Sequence, residues 1–87
     1  MEQDNKLIRS GVETAKTGNR AALQQLYAVS VDRVYGIILR ILPDEADAEK
    51  LTREILINAL HTISNIQEDE IYSLWLTKIT IRTILSK

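Results

Sequence analysis

The chain has 87 residues, 45% hydrophobic and 26% charged, with no cysteine, one histidine and a formal net charge of −1. One domain held by core packing alone fits that size; a disulfide framework is excluded, and the cytoplasm is the expected compartment. With His61 the single imidazole and Gly11, Gly18 and Gly36 far apart, triads, Cys/His zinc sites and glycine-rich phosphate loops lack their parts. Neither an enzyme nor a cofactor or metal site is therefore expected, nor a small-molecule substrate. No apolar run is long enough to span a membrane, and the start Met-Glu-Gln-Asp-Asn-Lys is not that of a signal peptide.

Apolar residues recur at helical spacing from end to end, with no period-two alternation, so the fold class is all-α, a bundle of about four helices. A first helix is expected over residues 4–17, with Leu7, Ile8, Val12 and Ala15 near one face and Gly18-Asn19 as its stop. A second covers residues 20–42, its stripe built from Leu23, Leu26, Tyr27, Val31, Val34, Ile37, Ile38 and Ile41. Gly36 lies inside it and is expected to permit a close helix contact. Leu42-Pro43-Asp44 ends that helix, because proline disfavours helix at the residue before it. Asp44 is the expected N-cap of the third helix, whose stripe is Leu51, Ile55, Leu56, Ala59, Leu60 and Ile63. A polar connection over 64–70, ending in Glu68-Asp69-Glu70, leads to a last helix over 71–86 with Leu74, Trp75, Ile79 and Leu85.

The small net charge conceals segregation. Residues 1–42 carry six bases and four acids, residues 43–70 two bases and eight acids, and residues 71–87 three bases and no acid. Such blocks bear on partners more than the total does. Lys78 and Arg82 stand four apart and share a side of the last helix, with Trp75 one turn before Lys78. A cationic face beside an aromatic group suits phosphates and stacked bases.

Four stretches carry a resemblance. Ala15-Lys16-Thr17-Gly18-Asn19-Arg20-Ala21-Ala22-Leu23 resembles an Ala-x-x-Gly-Asp-x-x-Ala-Leu opening. Leu26-Tyr27, Val34-Tyr35 and Ile41-Leu42 follow in the second helix. Asp47-Ala48-Glu49-Lys50-Leu51-Thr52-Arg53-Glu54-Ile55-Leu56 resembles Asp-Ala-Glu-Asp-Leu-Thr-Gln-Glu-Val-Phe, and Trp75-Leu76-Thr77-Lys78-Ile79-Thr80-Ile81-Arg82-Thr83 resembles Trp-Leu-x-Arg-Ile-Ala-x-Asn. In this order and spacing they are similar to region 2 of bacterial RNA polymerase sigma factors, particularly the extracytoplasmic-function (ECF) type.

That resemblance implies a non-catalytic binding module spanning residues 1–87 as a single domain. It implies that the third helix docks on the clamp helices of the polymerase beta-prime subunit, through Lys50, Arg53, Glu54 and Ile57. It further implies that the last helix and the loop before it engage the promoter −10 element, through Asn65, Gln67, Tyr72, Lys78, Arg82, Thr83 and Lys87. Arg82 takes the place of an asparagine that can read a base edge, and arginine can do so on guanine.

Two departures leave a second reading open. Lys50 and Arg53 stand where the family has aspartate and glutamine, against a partner surface that the resemblance implies is basic. Glu68, Asp69 and Glu70 would repel phosphate, unless they serve the last helix as acids at its positive end. The alternative is a sigma-like module for regulatory or self-associating protein contacts, for example with an anti-sigma factor. The family's downstream promoter-reading domain, region 4, has no counterpart here, so the expected source is a piece of a longer factor or an unusually short protein. His61 is expected on the surface.

Overall fold

Local signals at the chain's turns set the element boundaries. A computed structural model describes the backbone of residues 2–67 and 70–86, with side chains from residue 8 onward. Among these residues four α-helices form: α1 (Glu2–Ala15), α2 (Arg20–Ile41), α3 (Glu45–His61) and α4 (Tyr72–Leu85), with a 3-10 turn at Ile63–Asn65. Gly18 ends the α1 segment with φ +87, a conformation open to glycine and strained for other residues. Asn19 then caps α2, its side chain accepting the Ala22 N–H at 2.9 Å. Asp44 caps α3 as expected, accepting the Asp47 N–H at 3.0 Å. The Leu7 side chain lies outside those described.

α2 is the central element and packs against the other three helices, most extensively against α3. Its buried row is Ala22, Leu26, Ser30, Val34 and Ile38, one residue every four. α3 contributes Ala48, Leu51, Thr52, Ile55, Leu56 and Ala59, and α1 contributes Val12 and Ala15. On α4 the inward row is Tyr72, Leu76, Thr80 and Ile84. The two buried threonine hydroxyls are satisfied within their own helices: Thr52 donates to the Ala48 carbonyl at 2.6 Å and Thr80 to the Leu76 carbonyl at 2.8 Å. These bonds let two threonines occupy core positions without the penalty of an unpaired polar group.

Three expectations change. Ile41, assigned to the α2 stripe, is exposed, because the row that closes on the core advances in steps of four and passes it by. Leu74 and Leu85 face outward, and the core-facing residues of α4 are Tyr72, Leu76, Thr80 and Ile84. Gly36 makes no close contact: a Cβ built there meets nothing within 4 Å. With the space open and the position helical, Gly36→Ala is expected to raise stability by about 0.5–1 kcal/mol, read as a higher urea midpoint at unchanged m-value.

Candidate nucleic-acid and polymerase interfaces

Two solvent-facing surfaces gather most of the residues singled out from sequence. The first is the outer side of α3. Lys50, Arg53, Glu54 and Ile57 are all exposed, and their spacing of three and four places them on one face, opposite the buried Leu51, Ile55 and Leu56. Ile57 is 52% exposed, a large apolar side chain one turn beyond Arg53 and Glu54.

The second surface runs from the α3–α4 connection along α4. The 3-10 turn closes through the Asn65 N–H to the Thr62 carbonyl at 2.9 Å and the Ile66 N–H to the Ile63 carbonyl at 3.1 Å. Ile63 and Ile66 are buried, which pins the connection to the core and leaves Asn65 and Gln67 exposed. Two charged side chains then hold the backbone. Lys16, just past the end of α1, donates from Nζ to the Ile66 carbonyl at 3.0 Å, and Glu70 Oε1 accepts the Gln67 N–H at 2.9 Å. The Glu70 N–H returns to the Gln67 carbonyl at 3.0 Å. Glu70 is thus bonded back into the turn, whereas α4 has Ile71 as its N-cap and no side-chain cap at all. Glu68 and Asp69 lie outside the described residues.

On α4, Lys78 and Arg82 are exposed as expected, flanked by the exposed apolar residues Leu74, Ile81 and Leu85. Thr83 is half-buried and donates to the Ile79 carbonyl at 2.8 Å. Lys87, also among the expected DNA contacts, lies outside the described residues. Tyr72 departs from the expectation of an outward contact: it is 7% exposed, and its hydroxyl shares a 2.7 Å hydrogen bond with buried Ser30 of α2. Burial raises the Tyr72 phenol above its ordinary 10.0, and the Ser30 hydrogen bond acts the other way. Its ring lies 5.9 Å from that of half-buried Trp75, tilted by 34°. Trp75 accordingly packs against the core, as expected of a lone tryptophan in a small domain.

The sequence reading missed the part played by α1. A cleft of 260 Å³ opens between α1 and the start of α4, walled by Ile8 and Val12 on one side and Ile66, Ile71 and Tyr72 on the other. Arg9, Glu13 and Gln67 supply polar groups to its lining. No spacing within α1 signals this, because the cleft exists only once the connection folds back against it. His61 is exposed on α3, in keeping with a surface role.

Comparison with known proteins gives a consistent picture. The family model described as Sigma-70 region 2 matches residues 26–87. The RNA polymerase sigma-H factor of Pseudomonas aeruginosa is 29% identical over 82 residues, covering 94% of this chain and 40% of that protein. The chain therefore spans less than half the length of this relative. No solved structure gives a significant match.

Proposed function

The chain belongs to the sigma-70 region 2 family, whose members are non-catalytic transcription initiation factors, and on that premise we propose that it binds core RNA polymerase and the promoter −10 element. The α3 face formed by Lys50, Arg53, Glu54 and Ile57 meets the beta-prime clamp helices. Asn65 and Gln67 of the connection, with Lys78 and Arg82 of α4, meet the separated non-template strand. An ECF-type factor acting in the cytoplasm is the setting that fits the chain's motifs.

One observation carries the promoter role: the outward side of α4 presents Lys78 and Arg82 amid Leu74, Ile81 and Leu85, and the exposed loop residues lead into it. Cations reach phosphates while the apolar surface between them accepts bases that have left the stack. Glu70 weighs less against this than its sequence position suggests, since its carboxylate is bonded to the Gln67 N–H. Tyr72 contributes from inside, by fixing the first turn of α4 to α2.

The test is ternary-complex formation among the chain, core polymerase and a fork-junction promoter probe at two salt concentrations. A complex that forms at low salt and weakens at higher salt is expected, with Arg82→Ala lowering probe affinity about tenfold. Absence of any complex at low salt would sink the proposal.

The exposed apolar residues Ile71, Leu74, Ile81 and Leu85 favour a second reading, a protein-interaction module that takes a regulatory partner such as an anti-sigma factor. Self-association along α4 is the less favoured form of it. In a symmetric pairing centred on Lys78 that ammonium would meet its own copy, and α4 has no acid to offset it.

A further inference from the structure

The Ile66 carbonyl and the Gln67 N–H belong to one planar peptide group. Lys16 Nζ holds its oxygen at 3.0 Å and Glu70 Oε1 holds its N–H at 2.9 Å. We propose that Lys16 and Glu70 are positioning residues, forming a two-charge clamp that sets the orientation of this single peptide and so aims Gln67 at the promoter strand. The inference deepens the promoter-binding role and rests on it.

A cation at the carbonyl oxygen and an anion at the N–H act on the same peptide dipole in the same sense. Each hydrogen bond is charge-assisted, and each polarises the group in the direction that strengthens the other. The flanking side chains make the orientation consequential. Ile66 is 4% exposed and anchored in the core, while Gln67, the next residue, is exposed. Fixing the plane between them fixes the point from which the Gln67 side chain leaves the surface. Ile71, the N-cap of α4, adds no side-chain cap of its own. Lys16 comes from 50 residues earlier in the chain, so the end of α1 governs the loop.

The clamp and simple electrostatics predict opposite signs at Glu70. A bare carboxylate beside DNA repels phosphate, so removing it would tighten binding. A carboxylate that holds the loop loosens binding when removed. Lys16 is distinguished through salt: a lysine on a phosphate adds about one to the salt slope, whereas a lysine on a carbonyl adds nothing.

The experiment measures affinity of the core-bound chain for a fork-junction probe over a salt series, with Lys16→Met, Lys16→Arg, Glu70→Ala and the double variant Lys16→Met/Glu70→Ala. Amide hydrogen exchange at Gln67 and the urea midpoint are followed in the free chain. Lys16→Met and Glu70→Ala are each expected to weaken probe binding about three- to tenfold. The double variant should be no weaker than either single, because both act on one peptide. Lys16→Arg should bind as the unaltered chain does, the salt slope should hold in Lys16→Met, and the Gln67 amide should exchange faster in both weakened variants. Tighter binding by Glu70→Ala, multiplicative losses in the double variant, or a slope reduced by about one in Lys16→Met would each overturn the clamp. If the unaltered chain forms no ternary complex, the promoter role fails and the positioning role goes with it. If the unaltered chain binds and the variants bind equally well, the clamp alone fails.

Discussion

Replacing Ile57 by lysine is expected to weaken capture of core RNA polymerase at least about 30-fold while leaving the fold intact. The side chain is 52% exposed on the α3 face, so the folded chain has little of it to lose, and stability should stay within about 0.5 kcal/mol. Against a docked partner the same position becomes a desolvated apolar anchor, and truncating or charging such an anchor costs about 2 kcal/mol or more. Lysine also adds a like charge if the clamp surface is basic, as the resemblance implies. Lys50→Asp on the same face should then move the other way and tighten binding several-fold, since it converts a like-charge contact into an attractive one. Titration of the labelled chain with core polymerase, with circular dichroism as the control for folding, reads both. Equal affinity for Ile57→Lys and the unaltered chain would remove α3 from the interface.

Much of the fold was legible because punctuation and periodicity agreed. Gly18-Asn19, Pro43 and Asp44 each act within a few residues of where they stand, so the ends of α1 and α2 and the start of α3 follow from local chemistry. What periodicity leaves open is which of two adjacent apolar stripes turns inward when a helix is apolar on most sides. α4 is such a helix: Leu74, Ile81 and Leu85 are as hydrophobic as Leu76 and Ile84, yet only the latter pair is buried. The tyrosine at position 72 marks the inward row, since its hydroxyl finds a partner on α2, whereas the threonine at position 80 bonds within α4 and would do so on either side. The Tyr72 partner is not visible from spacing. The Thr80 bond runs to its own helix, and Ser30 is 42 residues away from Tyr72.

The candidate interfaces divide along the same line. Residues on one exposed helix face, Lys50 with Arg53, Glu54 and Ile57 or Lys78 with Arg82, are placed together by spacing alone. Glu70, which its acidic neighbours in sequence make either a repulsive charge or an acid at the start of the last helix, is tied to the preceding loop. Its fixed partner is a backbone N–H, and the opposing cation comes from the end of α1. Long-range contacts of this kind decide whether a charge is a surface field or a structural bond, and composition carries no record of them.

Tyr72 is where the fold and the proposed promoter-binding surface meet, and Tyr72→Ala is expected to cost about 3–5 kcal/mol, the range for deleting a buried aromatic. Native stability at this length is roughly 4–13 kcal/mol, so the loss removes a large share of it. Tyr72→Phe keeps the ring and removes the hydroxyl, leaving buried Ser30 without its 2.7 Å partner at a cost of about 1–3 kcal/mol. Adding Ser30→Ala should recover part of that cost, because the orphaned group is then gone. The phenol also writes a pH signature. Its folded pKa lies above the 10.0 of an ordinary tyrosine, chiefly through burial, so the fold favours the neutral form. That contribution is complete below pH 10.0 and is lost as pH rises from there through the folded value, because the unfolded chain releases the proton first. Tyr35 is raised in the same direction by burial and then by the carboxylates of Glu45 and Glu49, so part of the alkaline loss persists without Tyr72. Urea midpoints collected from neutral pH into the alkaline range should therefore fall less steeply for Tyr72→Phe than for the unaltered chain. Identical slopes would mean that the Tyr72 hydroxyl is hydrated and free, and that α4 is held to α2 by apolar packing alone.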